Sequence, residues 1–200
     1  MWLPDVSVVA VINTSYRAEQ GIWSRRGATP AAPGKAEDMV EVRDFDEADW
    51  PMVWAIVREV VRAGETFPYD PDMSEEQARS IWLESPPGRT VVAVDGRRVL
   101  GTAKMGPNRP GPGSHVATAS FMVAGDCRNR GVGTALCRHV LEWAGSGGYA
   151  GVQFNAVVAA NHAAVQLYER HGFRILGTVP RAFAHPVLGR VGLHLMYHEF

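Results

Sequence analysis

The run Arg128-Asn129-Arg130-Gly131-Val132-Gly133 constrains this chain more than any other. It follows a short apolar run, Ala119-Ser120-Phe121-Met122-Val123, that reads as a strand. It opens a segment whose apolar spacing predicts a helix from Gly131 to Ala144. A strand, a tight turn and a helix N-terminus in that order bring unsatisfied first-turn amides and the positive end of the helix dipole to one point. Gly131 and Gly133 let a ligand approach the backbone with no Cβ in the way. Arg128 and Arg130 add cationic donors. A phosphate or pyrophosphate is the ligand such a turn suits.

Three kinds of phosphate loop compete for this stretch. The G-x-x-x-x-G-K-[ST] run is absent from the chain. The dinucleotide fingerprint G-x-G-x-x-G fails because Leu136 stands where its third glycine belongs. The third pattern, R-x-x-G-x-G, is matched by Arg128, Gly131 and Gly133. By itself the hexapeptide equally marks a strand-to-helix turn that merely needs glycine. A second block follows at Asn161 to Phe173 with the spacing N-x-x-A-x-x-L-Y-x-x-x-G-F. Asn161 is a good N-cap for a helix ending at Gly172, and Ala164, Leu167 and His171 fall along one face with Tyr168 beside Leu167. A tyrosine there also suits a core aromatic whose hydroxyl is hydrogen-bonded.

The two blocks in this order resemble the GCN5-related N-acetyltransferases, from about Met39 to Phe200. The rest of the chain supplies matching elements. Val40 to Arg43 reads as a strand, and Asp46 caps a helix from about Glu47 to Ala63. Ser74 and Gln77 form a capping box for a helix through about Leu83. Arg89 to Asp95 and Val99 to Met105 flank a Gly96-Arg97-Arg98 hairpin turn. Beyond the phosphate loop come a strand at Val152 to Ala156, the helix Asn161 to His171, and strands at Phe173 to Val179 and Val191 to His198, with Arg181 to Arg190 connecting the last two. The order β-α-α-β-β-β-α-β-α-β-β is similar to that of the family. It implies an α/β fold: a mixed, mostly antiparallel seven-stranded sheet with helices on both faces.

Two hundred residues, 46% of them hydrophobic, suit one domain with an appendage. Gly27 to Lys35 reads as a linker, so residues 1–38 are expected to be a flexible or non-native extension, with Met39 a candidate start, and residues 39–200 the domain. No apolar stretch reaches the ~18 residues of a membrane span, and the N-terminus lacks the basic segment of a secretory signal. A net charge of −1 gives no electrostatic case for nucleic acid or a membrane surface. Cys127 and Cys137, the only cysteines, carry no metal spacing and read as reduced thiols, hence a cytoplasmic protein. Asp126 disfavours Cys127 as a nucleophile.

The resemblance implies transfer of an acetyl group from acetyl-CoA to the amine of a small molecule, with no metal. The main chain of Arg128, Asn129, Arg130, Gly131, Val132, Gly133 and Thr134 would bind the pyrophosphate. Phe121, Met122 and Val123 would pair with the pantetheine arm, and an N–H near Val123 would polarise the thioester carbonyl. Asn161 matches a position that commonly hydrogen-bonds the arm, and Tyr168 the position of the acid that protonates the leaving thiolate. The base for the amine stays open among Glu65, Asp70, His115 and Glu199. His194 and His198 lie on a strand, so they lack the helical spacing of a zinc pair.

Several segments are most similar to the azetidine-2-carboxylate (proline-analogue) N-acetyltransferase branch: Gly64-Glu65-Thr66-Phe67-Pro68, Pro107-Asn108-Arg109-Pro110-Gly111, Ser114-His115-Val116, Phe154-Asn155 and Gly177 to Phe183. That resemblance assigns Asn155 to the acceptor's carboxylate and Thr118 to the acceptor pocket, although the branch usually has asparagine where this chain has Thr118. Partners are then a small-molecule amine, neither nucleic acid nor membrane, with a homodimer allowed. The alternatives are a non-catalytic acyl-CoA sensor on the same fold and, more remotely, a nucleotide-binding regulatory domain.

Overall fold

The computed structural model describes residues 40–200; the expected 1–38 extension and the Met39 start lie outside the described residues. One seven-stranded sheet organises the chain, in the order β1-β2-β3-β4-β5-β7-β6. Its strands are β1 (Glu41–Asp44), β2 (Arg89–Asp95), β3 (Arg98–Pro107), β4 (Val116–Val123), β5 (Gly151–Val158), β6 (Arg174–His185) and β7 (Gly189–Glu199). Every neighbour pair is antiparallel except β4 with β5, which is parallel. The helices are α1 (Trp50–Ala63), α2 (Glu75–Trp82), α3 (Val132–Ser146) and α4 (His162–Arg170). The expected fold class is the one observed.

Helix α1 buries Val53, Ile56, Val57, Val60 and Val61, the 3.6-residue stripe its sequence spells out, and stops at Gly64, whose left-handed φ of 63° no β-branched residue would adopt easily. The residues Glu47–Asp49 form a 3-10 turn ahead of it because Pro51 belongs in a first helical turn. The Ser74–Gln77 capping box is reciprocal, as expected. Trp82 is fully buried, and its Nε1 donates to Thr102 Oγ1 at 3.1 Å, so the end of α2 is pinned to β3.

The expected connection from Arg181 to Arg190 is instead mostly strand. The register of β6 on β7 breaks between Val179 and Phe183, where Arg181 takes a left-handed φ of 55°, and pairing then resumes to His185↔Gly189. The β5–β7 ladder runs as far as Val158↔Leu193, with one further bond from the Ala159 N–H to the Gly192 carbonyl at 2.9 Å; past Gly192, among the described strands, β6 and β7 pair only with each other. Three β6 residues stand opposite one on β7 at the register break, so the bulge absorbs two extra residues and the arm stays two-stranded.

Asp49 anchors the start of α1. Its carboxylate is 4% exposed, accepts two bonds from the Arg43 guanidinium at 2.7 and 2.8 Å, and accepts from the Asp46 N–H at 2.9 Å. The Arg43 bonds hold the Asp49 carboxyl below its usual range. A depressed folded pKa stabilises above the unfolded value and loses that contribution as pH falls through the folded one. Asp49→Asn should cost about 1–2 kcal/mol at neutral pH, discounted for the partial exposure of Arg43, and the deficit should shrink in acid. Urea unfolding at both pH values checks this; an equal deficit at both would contradict it.

Candidate active site

The site begins where two strands part. β4 and β5 pair only through Val116↔Gly151 and Ala117↔Val152, whereas β4 stays paired to β3 up to Gly101↔Val123. From Thr118 to Val123 the β5-facing edge of β4 is therefore an open edge, with backbone groups available to an extended ligand arm. Phe121, Met122 and Val123 lie on it. Their side chains are buried in the core, so what they offer a ligand is main chain.

At the C-terminal end of β4 the chain turns into α3. Asn129 and Gly131 both take left-handed backbone, with φ of 58° and 77°. Gly131 occupies the cap position of α3, and no side chain caps the helix. The first-turn amides of Val132, Gly133 and Thr134 thus open onto a cleft of about 290 Å³ lined by Val123, Arg128, Asn129, Gly131, Val132, Gly133 and Thr134. Arg130 is not among the lining residues; its guanidinium lies 3.7 Å from Asp95 on the β2–β3 hairpin. Arg170, from α4, lines the cleft as a cation that the sequence did not single out.

Across the parted strands stands α4. Asn161 caps it, with Oδ1 accepting from the Ala164 N–H at 3.2 Å. Its Nδ2 is buried and has no hydrogen-bond partner among the described residues. An amide N–H left orphaned in a native interior is costly, so a ligand acceptor is the natural occupant of that bond. Tyr168 is 1% exposed, and its ring packs on Phe154 at 4.6 Å, Phe173 at 5.7 Å and Phe121 at 6.0 Å. No hydrogen bond to another described residue engages its hydroxyl. Burial, and secondarily the Cys137 thiol, hold Tyr168 well above the usual tyrosine range, so it is protonated at neutral pH and carries a proton to donate.

Strand alternation sorts the remaining residues. Phe121 and Phe154 meet at 5.8 Å on one face, which leaves Thr118 and Ser120 of β4 and Gln153 and Asn155 of β5 on the other. Asn155 Nδ2 donates to Asn108 Oδ1 at 2.7 Å, and Gln153 Nε2 donates to Asn155 Oδ1 at 2.7 Å. Asn108, itself buried, is held by its N–H to the Val116 carbonyl at 2.8 Å. The sequence placed Asn155 here and missed the partner: only a contact across 47 residues reveals Asn108. Thr118 Oγ1 is buried and has no hydrogen-bond partner among the described residues.

The other candidates separate. Cys127 donates to Asp126 at 3.3 Å; burial and that carboxylate push its thiol up, and burial pushes Cys137 up to about 12, so neither is a nucleophile at neutral pH. His115 bonds the Pro112 carbonyl at 3.0 Å, and Glu199 lies 4.0 Å from Arg174. Among the described residues no three His, Cys, Asp or Glu side chains converge as a metal site requires. Nor is any described helix long and apolar enough to cross a membrane.

The family model described as Acetyltransferase (GNAT) family matches residues 50–173. The chain is 54% identical to a GCN5-related N-acetyltransferase from Kribbella flavida, over 82% of this chain and 99% of that one, with a TM-score of 0.79. It is 28% identical over 137 residues to the N-acetyltransferase aca1 of Schizosaccharomyces pombe, 61% of this chain, and spans 66% of that protein's length. A phosphinothricin acetyltransferase from Sinorhizobium meliloti, solved in complex with AcCoA, shares the fold at a TM-score of 0.72 and 20% identity, over 81% of this chain and 89% of that one.

Proposed function

The chain belongs to the acetyltransferase (GNAT) family, and from that premise we propose that it transfers an acetyl group from acetyl-CoA to the nitrogen of a small-molecule amine. Amino-acid-like acceptors, proline analogues included, are the class the acceptor face suits. The observation that carries the reading is the parting of β4 from β5 directly above an uncapped, glycine-rich helix N-terminus. One end of that gap suits a pyrophosphate and the other an extended amide-bearing arm.

Acetyl-CoA supplies the thioester whose acyl group is transferred. The turn from Arg128 to Thr134 grips by main-chain N–H groups, with Arg128 and Arg170 adding charge. The orphaned Asn161 Nδ2 fits an amide carbonyl of the pantetheine arm. The open edge of β4 orients that arm, and an N–H near Val123 stabilises developing negative charge on the carbonyl oxygen. Tyr168, kept protonated by burial, gives its proton to the departing sulfur. That hydroxyl, unengaged by described residues, also favours catalysis over a sensor, which needs no acid. Mass spectrometry of acetyl-CoA with a panel of primary and secondary amines tests the reading: acetylated product supports it, and tight acetyl-CoA binding with no product from any amine would support the sensor.

On the acceptor side, Asn155 and Thr118 are proposed to face the substrate. Asn155→Ala should raise KM for the amine about tenfold while leaving KM for acetyl-CoA near its starting value, the mark of lost uniform binding. Thr118→Asn should shift kcat/KM toward azetidine-2-carboxylate relative to linear amines. An unchanged ranking of acceptors in both variants would remove the proline-analogue reading and leave the acetyl transfer standing.

A further inference from the structure

On the acceptor face of the sheet, a cavity of about 120 Å³ is lined by Glu84, Ser85, Lys104, Gly106, Thr118 and Ser120, among others. Lys104↔Ser120 and Gly106↔Thr118 are cross-strand partners of β3 and β4, so their side chains share one face. Glu84 reaches this face from the connection between α2 and β2. Its Oε1 lies 3.2 Å from Lys104 Nζ, and its Oε2 lies 4.0 Å from where a Cβ on Gly106 would sit. Glu84, Gly106 and Thr118 thus line one cavity, which puts the carboxylate on this face of β3 and β4.

The position of Glu84 is built. Its own N–H donates to Thr90 Oγ1 at 3.0 Å, and that hydroxyl donates to the Trp82 carbonyl at 3.1 Å. Lys104 Nζ is fixed as well, donating to the Ile81 carbonyl at 2.7 Å. One polar group lining this cavity has no hydrogen-bond partner among the described residues: Thr118 Oγ1, in a residue 8% exposed. Burial, and then the Glu84 carboxylate, raise Tyr69 above the usual tyrosine range. Lys104 from β3 is the described titratable group paired with Glu84 on this side, and Tyr69 from the α1–α2 connection feels its charge; Asp44, Glu47 and Arg89 line the cleft on the other side of its segment.

A pinned carboxylate and an unpartnered hydroxyl at a cavity mouth together ask for a hydrogen-bond donor that carries positive charge. The cavity runs along Thr118, Ala119 and Ser120 and so adjoins the open edge that continues through Phe121 to Val123. We propose that Glu84 binds the acceptor's ammonium and takes its proton, making it the general base of the acetyl transfer, with Thr118 Oγ1 accepting a second hydrogen bond from the same nitrogen. This rests on the acetyltransferase reading above. The neutral nitrogen then attacks the thioester carbonyl carbon. The C–N bond forms, the C–S bond breaks, and the sulfur leaves with the electron pair and takes the Tyr168 proton. The surplus proton on the amide nitrogen and the proton on Glu84 pass to solvent, from which Tyr168 is reprotonated. Lys104, 3.2 Å away, holds the carboxylate in place until the ammonium arrives.

The test is Glu84→Gln, which keeps the shape and an acceptor for Lys104 but cannot take a proton. The assay uses the fastest acceptor from a panel of azetidine-2-carboxylate, proline, the common amino acids and linear amines. At neutral pH kcat/KM should fall about tenfold or more, and it should recover toward wild type as pH rises and the free amine becomes abundant. Binding of the same amine without acetyl-CoA, read by calorimetry, should weaken as well, and Glu84→Asp should restore part of both. A Glu84→Gln protein with the wild-type pH profile and amine affinity overturns the assignment and leaves a structural ion pair, whatever its melting temperature. Wild-type protein that acetylates no amine would overturn the reaction itself, together with any part of Glu84 in it.

Discussion

Tyr168→Phe should turn over about 10²-fold more slowly or worse, with acetyl-CoA affinity little changed. The substitution removes one oxygen. The ring that packs on Phe154, Phe173 and Phe121 is kept, so the aromatic cluster loses no partner. No hydrogen bond to a described residue is lost either, which makes a large stability cost physically unwarranted. A thiolate leaving without a proton donor must instead wait for water, in a site where the donor is otherwise fully protonated. The effect therefore belongs in kcat. Normal turnover by a folded Tyr168→Phe protein would make Tyr168 a core aromatic and nothing more.

The glycine turn ahead of α3 and the helix α4 were legible in the sequence because each is local. A strand, two glycines and a helix cap lie within a few residues, and the reason for each residue type is carried by the backbone it permits. Gly131 at φ 77° and the orphaned Asn161 Nδ2 are the structural counterparts of that reading. The course of β6 was less legible: a chain that reads as turn-rich from Arg181 to Arg190 keeps strand pairing because a left-handed Arg181 takes up the register break. The acceptor face was hardly legible. Asn108 meets Asn155 from 47 residues away, and Glu84 reaches Lys104 only because Thr90, Thr102 and Trp82 tie the end of α2 to the sheet. No short-range periodicity encodes such contacts, since they depend on how β3, β4 and β5 lie side by side. Arg130 illustrates the converse. It sits inside the motif, and yet its nearest charged partner is Asp95 on the neighbouring hairpin.

The uncapped N-terminus of α3 is proposed to hold the pyrophosphate of acetyl-CoA. Gly131→Asp attacks it in two ways. The residue sits at φ 77°, where a side chain costs about 1–2 kcal/mol of backbone strain. It also lines the cleft, so a carboxylate there would face the phosphates across the very amides that should bind them. Asp tolerates left-handed backbone better than most residues, so the fold should survive while the ligand is repelled. The most direct measurement is calorimetric titration of acetyl-CoA into the wild-type and Gly131→Asp proteins, with circular dichroism to show that both are folded. The wild type should bind, and the variant should bind at least about tenfold more weakly, a loss of ~1.4 kcal/mol or more. Equal affinity in a folded Gly131→Asp protein would contradict the assignment of this turn to the cofactor.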